Sequence, residues 1–361
     1  MSILSKIYIS LPKRAEIVFY DVRYPHLFKN LKLSYVSILR PNEKFNIIFL
    51  LYALKYPYQL LKNNLGEVYL LSVLKTIKPR YFITTSDLDY RVFKLSQRFK
   101  EIKFILIQDS YRIKSTYKKH KLKSSDILIK YSPLINFNFT NTELVSKPLK
   151  YNFIKNIEEI ELTFNFIFIS QFRPNWDKLT TIQKKILNQD LTPSGNKFYH
   201  AEDKLLTYLS EKYFKGKNKL YYKSSFRSTK PQKLSEVNYL NEEEVFFQKY
   251  NFQKFNISNN QILFGKHDLI SLIIDSTMIF DLLFYGKKVL VYDYRAIFLE
   301  QESNPHLNLL KKEFPFIFLE KSLNDFHEKY SYLKNISLTD YQKDISKYFN
   351  TPQINLNNIL K

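Results

Sequence analysis

Short unbroken apolar runs, each closed by polar residues and followed by a stretch of helical spacing, set the rhythm of this chain. Ile17-Val18-Phe19-Tyr20, the run 35–39, Tyr81-Phe82-Ile83-Thr84 and Lys103-Phe104-Ile105-Leu106-Ile107 read as strands, with 127–129 as a further short one. Between them, 45–61, 66–77 and 90–99 predict helices, the second stopped at Lys78-Pro79 because proline cannot continue a helix. The second half repeats the alternation. Strands are expected at 164–169, 220–223, 272–274, 289–292 and 316–319, and helices at 200–213, 242–250, 324–333 and 340–349. Strands buried on both faces and alternating with helices build parallel α/β sheets.

At 361 residues the chain exceeds the usual single core. The expected division is an N-terminal α/β domain over 1–150, a C-terminal one over 151–335 and a helical tail over 336–361. Two such sheets facing each other across a cleft would be one way to hold two substrates. No internal sequence repeat or low-complexity tract interrupts the pattern.

The stretch Leu272 to Asp293 is the most informative. It reads as strand, polar turn, short helix, glycine stop at Gly286 and second strand, a βαβ unit. Open α/β sheets place ligands at the carboxyl ends of strands, and that edge here carries Asp275, Ser276 and Thr277. Free backbone N–H groups beside two hydroxyls form a seat for phosphate. The plainer reading is that Ser276 caps the helix and Asp275 turns the chain.

Composition narrows the chemistry. There is no cysteine, which excludes disulfides and thiolate catalysis. The net charge of +22 suits anionic partners, although Lys, Asn, Ile, Phe and Tyr are all abundant, as A/T-rich coding would make them. Five glycines leave no phosphate-binding loop of the Walker or dinucleotide type. The six histidines show no metal-ligand spacing, so no metal and no cofactor are expected. No nucleic-acid module is present, which disfavours nucleic acid as partner. The longest apolar run, Ile47 to Leu54, is far short of the about 20 residues that span a bilayer. With no secretory leader evident, the expectation is a cytoplasmic protein, with peripheral contact at the inner face of an anionic membrane through its lysines.

Several motifs together resemble a known group. Lys78-Pro79-Arg80-Tyr81-Phe82-Ile83-Thr84 then Asp87, the strand end Ile105-Leu106-Ile107-Gln108-Asp109-Ser110-Tyr111-Arg112, the segment Phe168-Ile169-Ser170-Gln171-Phe172-Arg173, and Asp275-Ser276-Thr277 with Asp281 and Gly286-Lys287-Lys288-Val289 resemble bacterial surface carbohydrate biosynthesis proteins. A more distant resemblance is to CDP-glycerol glycerophosphotransferases. The resemblance covers roughly residues 20–112 and 164–295. It implies a GT-B type fold of two Rossmann-like parallel-sheet domains, with the donor nucleotide held mainly by the C-terminal one. Asp281 stands where the group has glutamate, and Asp109-Ser110 where it has Asn-Gly.

On that footing the expected activity is metal-independent transfer of a sugar from a nucleotide-activated donor to a surface polysaccharide or glycolipid. Such transfer needs a base for the acceptor hydroxyl and positive charge for the departing phosphate. Asp87 is the first candidate base and Asp109 the second; Asp89, Gln108 and Arg112 fall on the acceptor side. Asp87 has a competing reading as a helix cap. Ser276, Thr277, Arg173, Lys223 and Arg227 are candidates for donor phosphate, and Asp275, Asp281 and His267 for the nucleotide. Two alternatives stay open: transfer of a polyol phosphate from a CDP-activated donor, and a non-catalytic basic protein that holds nucleic acid or membrane.

Overall fold

The structure, a computed structural model, describes residues 7–22, 24, 31–39, 45–54, 64–112, 117, 121–131, 133–138, 140–148, 162, 164–172, 193–215, 220–224, 234–255, 261–265, 267–274, 276–299, 302–303, 305–319 and 322–360. The chain divides into two compact units: Met1–Asn152 together with Thr351–Lys361, and Phe153–Asn350. The segment expected as a separate tail, 336–361, is therefore shared between them.

Unit 1 begins with a short parallel pair, β1 (Ile7–Tyr8) and β4 (Phe45–Asn46). Its main sheet has six parallel strands: β2 (Ile17–Tyr20), β3 (Tyr35–Ile38), β5 (Tyr81–Thr84), β6 (Lys103–Ile107), β7 (Ile127–Lys130) and β8 (Thr142–Val145). Their order is β3-β2-β5-β6-β7-β8. β2 and β5 carry four residues each and bury all of them, which is why they read as continuous apolar runs.

Among the described residues, three helices accompany these strands: α1 (Ile47–Ala53), α2 (Leu65–Ile77) and α3 (Tyr90–Arg98). Asn46 caps α1, so the apolar run expected as one helix over 45–61 starts as a strand; residues 55–63 lie outside the described residues. α2 is capped by Asn64, whose side chain accepts from the Glu67 amide at 2.9 Å. It ends at Lys78, which takes φ 52 ahead of Pro79.

The alternation of side chains across the sheet gives unit 1 two cores. One face packs Tyr20, Phe82 and Phe104 in a ring series, with centroids 5.8 and 4.9 Å apart. The other gathers Ile17, Phe19, Ile83, Ile105 and Ile129, and there Leu356 and Leu360 of the carboxyl terminus complete the cluster. The Ile354 amide donates to Ser146 Oγ at 3.1 Å and fixes the returning strand of chain.

Unit 2 repeats the plan with β9 (Phe166–Ile169), β10 (Leu220–Lys223), β11 (Phe252–Lys254), β12 (Ile270–Ile274), β13 (Val289–Tyr292) and β14 (Phe318–Leu319), all parallel, in the order β11-β10-β9-β12-β13-β14. Its helices are α4 (Pro193–Tyr208), α5 (Leu234–Gln248), α6 (Gln261–Phe264), α7 (Met278–Phe284), α8 (Tyr294–Phe298), α9 (Pro305–Glu313), α10 (Asp325–Asn335) and α11 (Leu338–Phe349). α4 runs on into a wider turn in which the Phe214 amide reaches Leu209 carbonyl at 2.7 Å. The expected glycine stop is real: Gly286 has φ 66 just after α7, and a Cβ there would lie 2.8 Å from the Gln342 side chain.

Candidate functional site

In a doubly wound sheet, ligands settle where neighbouring strands connect to opposite sides, at their carboxyl ends. Unit 1 has that reversal between β2 and β5, since β2 leads to β3 on one side and the chain then crosses to β5 on the other. Unit 2 has it between β9 and β12. Register fixes what lies there. Tyr20 is opposite Thr84, so Asp21 neighbours Thr85 and Ser86; Ile169 is opposite Ile273, so Ser170 neighbours Ile274, the last residue of β12.

At the unit 1 edge, Asp21 holds φ 51 and is buried. Its carbonyl accepts from Thr85 Oγ1 at 2.7 Å, and its carboxylate accepts from Ser86 Oγ. Asp87 follows at once and is only 1% exposed. Arg112 grips it with two bonds of 2.9 Å, and Tyr117 donates to the same carboxylate at 2.6 Å. Burial opposes the Arg112 charge, but the Asp87 carboxylate outweighs it and holds the guanidinium above its usual range. Burial, reinforced by Asp87, pushes the Tyr117 phenol far upward. Asp87 is thus a buried anchor with both oxygens engaged.

Its neighbours are engaged in the same way. Asp89 caps α3, accepting the Arg91 amide at 3.1 Å and the Arg91 Nε at 2.8 Å, with Tyr20 donating at 2.9 Å. Burial pushes the Asp89 carboxyl up, but Arg91 outweighs it and leaves the group below the usual carboxylate range. Gln108 is fully buried and ties β6 to its surroundings, accepting from the Tyr131 amide at 3.0 Å and donating to Tyr117 at 3.2 Å. Arg112 is committed to Asp87 and to Ser110 Oγ at 2.6 Å.

Asp109 differs. It is exposed at the end of β6, and Tyr24, from the loop after β2, donates to its Oδ1. Its Oδ2 has no partner among the described residues, which leaves one oxygen for a proton.

At the unit 2 edge, Ser170 Oγ accepts the Phe172 amide at 3.0 Å and donates to Glu243 of α5 at 2.6 Å. Ser224 donates to the other oxygen of the same carboxylate. The Gln171 amide is held at 2.7 Å by Glu202 of α4. Lys223 ends β10 and is buried; its carbonyl accepts from the Ser170 amide at 2.9 Å, while its ammonium makes no hydrogen bond or ion pair among the described residues. Burial pushes its ammonium downward, with Glu243 pulling the other way. Ser276 Oγ accepts the Met278 amide at 3.3 Å, so part of its role is capping. Thr277 makes no capping bond, is partly exposed, and its hydroxyl has no partner among the described residues.

Two nucleotide candidates have other surroundings. His267 precedes β12 and so sits at its amino end, about 16 Å of strand away from Ser276. Asp281 is buried inside α7, where its charge, after burial, helps raise the Tyr285 phenol. Arg173, Arg227 and Asp275 lie outside the described residues. The sequence reading missed Asp21, Glu243 and Ser224. Asp21 followed a recognised strand and could have been found by position alone; Glu243 gives no signal, because it lies mid-helix and reaches the site only through packing.

No protein-family model matches the sequence, and no curated protein is significantly similar to it. Solved structures do match along nearly the whole length. Spinosyn rhamnosyltransferase SpnG, complexed with thymidine diphosphate, superposes with TM-score 0.50 at 8% identity, covering 94% of this chain and 97% of that one. The fold is that of the GT-B glycosyltransferases. A glycotransferase of kitacinnamycin is similar at TM-score 0.49 and 10% identity, covering 97% and 99% of the two chains. Two parallel sheets of six strands each, with polar loops at both reversals, are what the GT-B chain here has to work with.

Proposed function

We propose that this chain is a glycosyltransferase that moves a sugar from a nucleotide-activated donor to a hydroxyl of a glycan or glycolipid. The observation that carries the reading is that β10 and β12, the strands on either side of β9, are followed or closed at their carboxyl ends by Lys223, whose buried ammonium has no hydrogen bond or ion pair among the described residues, and by Thr277, whose hydroxyl has none among them either, in a fold shared with a rhamnosyltransferase solved with thymidine diphosphate. Lys223 and the Ser276–Thr277 turn receive the donor's diphosphate, and Arg173 and Arg227, which follow β9 and β10 in sequence, are further candidates for its charge. Ser170, Ser224 and Glu243 hold that edge in shape.

Within unit 1 taken by itself, Asp109 is the side chain we assign to receive the proton of an acceptor hydroxyl, its Oδ2 having no partner among the described residues. The acceptor oxygen bonds to the sugar's anomeric carbon as the bond from that carbon to the diphosphate oxygen breaks. The electron pair leaves with the nucleoside diphosphate, whose charge Lys223 and the turn offset. Asp87, Arg112 and Tyr117 keep the β5 and β6 loops in register for that step. Incubation with a panel of nucleotide sugars and of CDP-glycerol, followed by separation of the nucleotides released, tests the reading. Release of a nucleoside diphosphate from a sugar donor supports it; release of CMP from CDP-glycerol, or no release from any donor, contradicts it.

A further inference from the structure

Helix α1 carries nothing more polar than Tyr52: Ile47-Ile48-Phe49-Leu50-Leu51-Tyr52-Ala53, with Leu54 extending the run. A helix that is apolar on all sides belongs in a core or against lipid. Among its described side chains only Phe49 is buried, edge-on to Tyr69 of α2 with centroids 6.0 Å apart. Leu51 and Leu54, three residues apart and so on one face, are 57% and 64% exposed.

A second apolar pair follows β1, the strand that pairs with β4 directly ahead of α1. Ile9 and Leu11 are 75% and 80% exposed. Ser10 between them is bound by Asn46, whose Nδ2 donates to the Ser10 carbonyl at 2.7 Å and to its Oγ at 2.9 Å. Asn46 is also the cap of α1. Both pairs are therefore tethered to one residue, and the pairing of β1 with β4 keeps them there. Monomeric soluble proteins rarely leave large side chains grouped in this way without a use for them.

Charge decides the occupant. Lys13 and Arg14 are exposed directly after Leu11, Lys55 follows α1 in sequence, and the whole chain carries +22. Two copies of so basic a surface repel each other, whereas an anionic headgroup layer attracts it. Among the described residues no helix is long and apolar enough to cross a membrane, so the attachment would be to a surface. We infer that unit 1 docks on an anionic lipid bilayer, inserting Leu51, Leu54, Ile9 and Leu11 below the headgroups while Lys13 and Arg14 meet lipid phosphate. This surface does not depend on the transferase reading, and its test reads lipid rather than turnover.

The test is co-sedimentation of the full chain with vesicles of phosphatidylcholine alone or with phosphatidylglycerol added. The wild type is expected to pellet with the phosphatidylglycerol vesicles and to be released partly by salt. Leu51→Glu with Leu54→Glu should lower vesicle affinity roughly tenfold or more, as should Ile9→Glu with Leu11→Glu, since binding scales with buried apolar area. Lys13→Glu with Arg14→Glu should weaken binding and flatten its salt dependence. All six side chains are exposed, so thermal unfolding should stay at the wild-type temperature. The inference is overturned if the wild type ignores phosphatidylglycerol, or if both apolar double variants bind as wild type. A wild-type dimer that does not bind vesicles and that Leu51→Glu with Leu54→Glu dissociates would overturn it as well, by making this face an interface between copies.

Discussion

Asp87 and Arg112 meet in a two-pronged bond, Nε to Oδ2 and Nη2 to Oδ1, each at 2.9 Å, with the carboxylate buried beneath. Paired charges of this kind cost a great deal to break singly, because the survivor is left in a poorly solvating interior. Arg112→Ala should therefore lower the unfolding free energy by about 3–5 kcal/mol. Arg112→Met combined with Asp87→Leu should cost clearly less than Arg112→Ala alone, since no lone charge remains. Urea denaturation of the three proteins checks this, and a double variant at least as unstable as Arg112→Ala would show that the pair is more than a matched charge.

The same geometry separates Asp87 from Asp109 in kinetics. Asp109 keeps one oxygen unengaged at the end of β6, so Asp109→Asn should reduce kcat by about 10²–10⁴-fold while leaving the unfolding temperature where it was. Asp87→Asn should do the reverse in emphasis, lowering the unfolding temperature and reducing activity only as far as the loops loosen. Steady-state rates with the donor found by screening, set beside thermal melts, distinguish them. Full activity in Asp109→Asn would remove it as the base.

Much of this was legible beforehand, and the reason is burial on both faces. β2, β5, β6, β10 and β13 lie where apolar runs begin and end, because a parallel sheet sandwiched between layers leaves no polar alternation to blur them. β8 and β11 escaped notice for the opposite reason. Thr142–Val145 and Phe252–Lys254 are edge strands with one paired side, and Glu143 of β8 is spent on an ion pair of 2.8 Å with Lys130. At the site, position was legible and role was not. Strand ends announced Asp87, Gln108, Ser276 and Thr277, but whether a side chain faces solvent or another residue depends on partners far along the chain, as Arg112 does for Asp87.

Lys287 makes a prediction in pH. Burial pushes its ammonium down to about 8, against Asp268, while its Nζ donates to the Gly265 carbonyl. Between that value and the ordinary 10.5 the unfolded chain binds more protons than the folded one, so stability rises with pH there. The wild type should gain stability relative to Lys287→Met as pH climbs from about 8 toward 10, the relative penalty of a buried cation being present at pH 7 and relieved on deprotonation. Denaturation midpoints of both proteins across this range measure the difference. A constant offset between them would mean that Lys287 does not titrate there.

The account rests on the β9/β12 edge of unit 2 as a diphosphate seat, and calorimetric titration tests that most directly. Wild-type protein is titrated with CDP, UDP, GDP and thymidine diphosphate, and the nucleotide that binds is then titrated into Lys223→Met and Thr277→Val. The prediction is saturable binding of at least one of them, weakened roughly tenfold or more by Lys223→Met, as expected when a charge-assisted bond to phosphate is lost. Absence of binding by all four, or equal affinity in wild type and both variants, would contradict it.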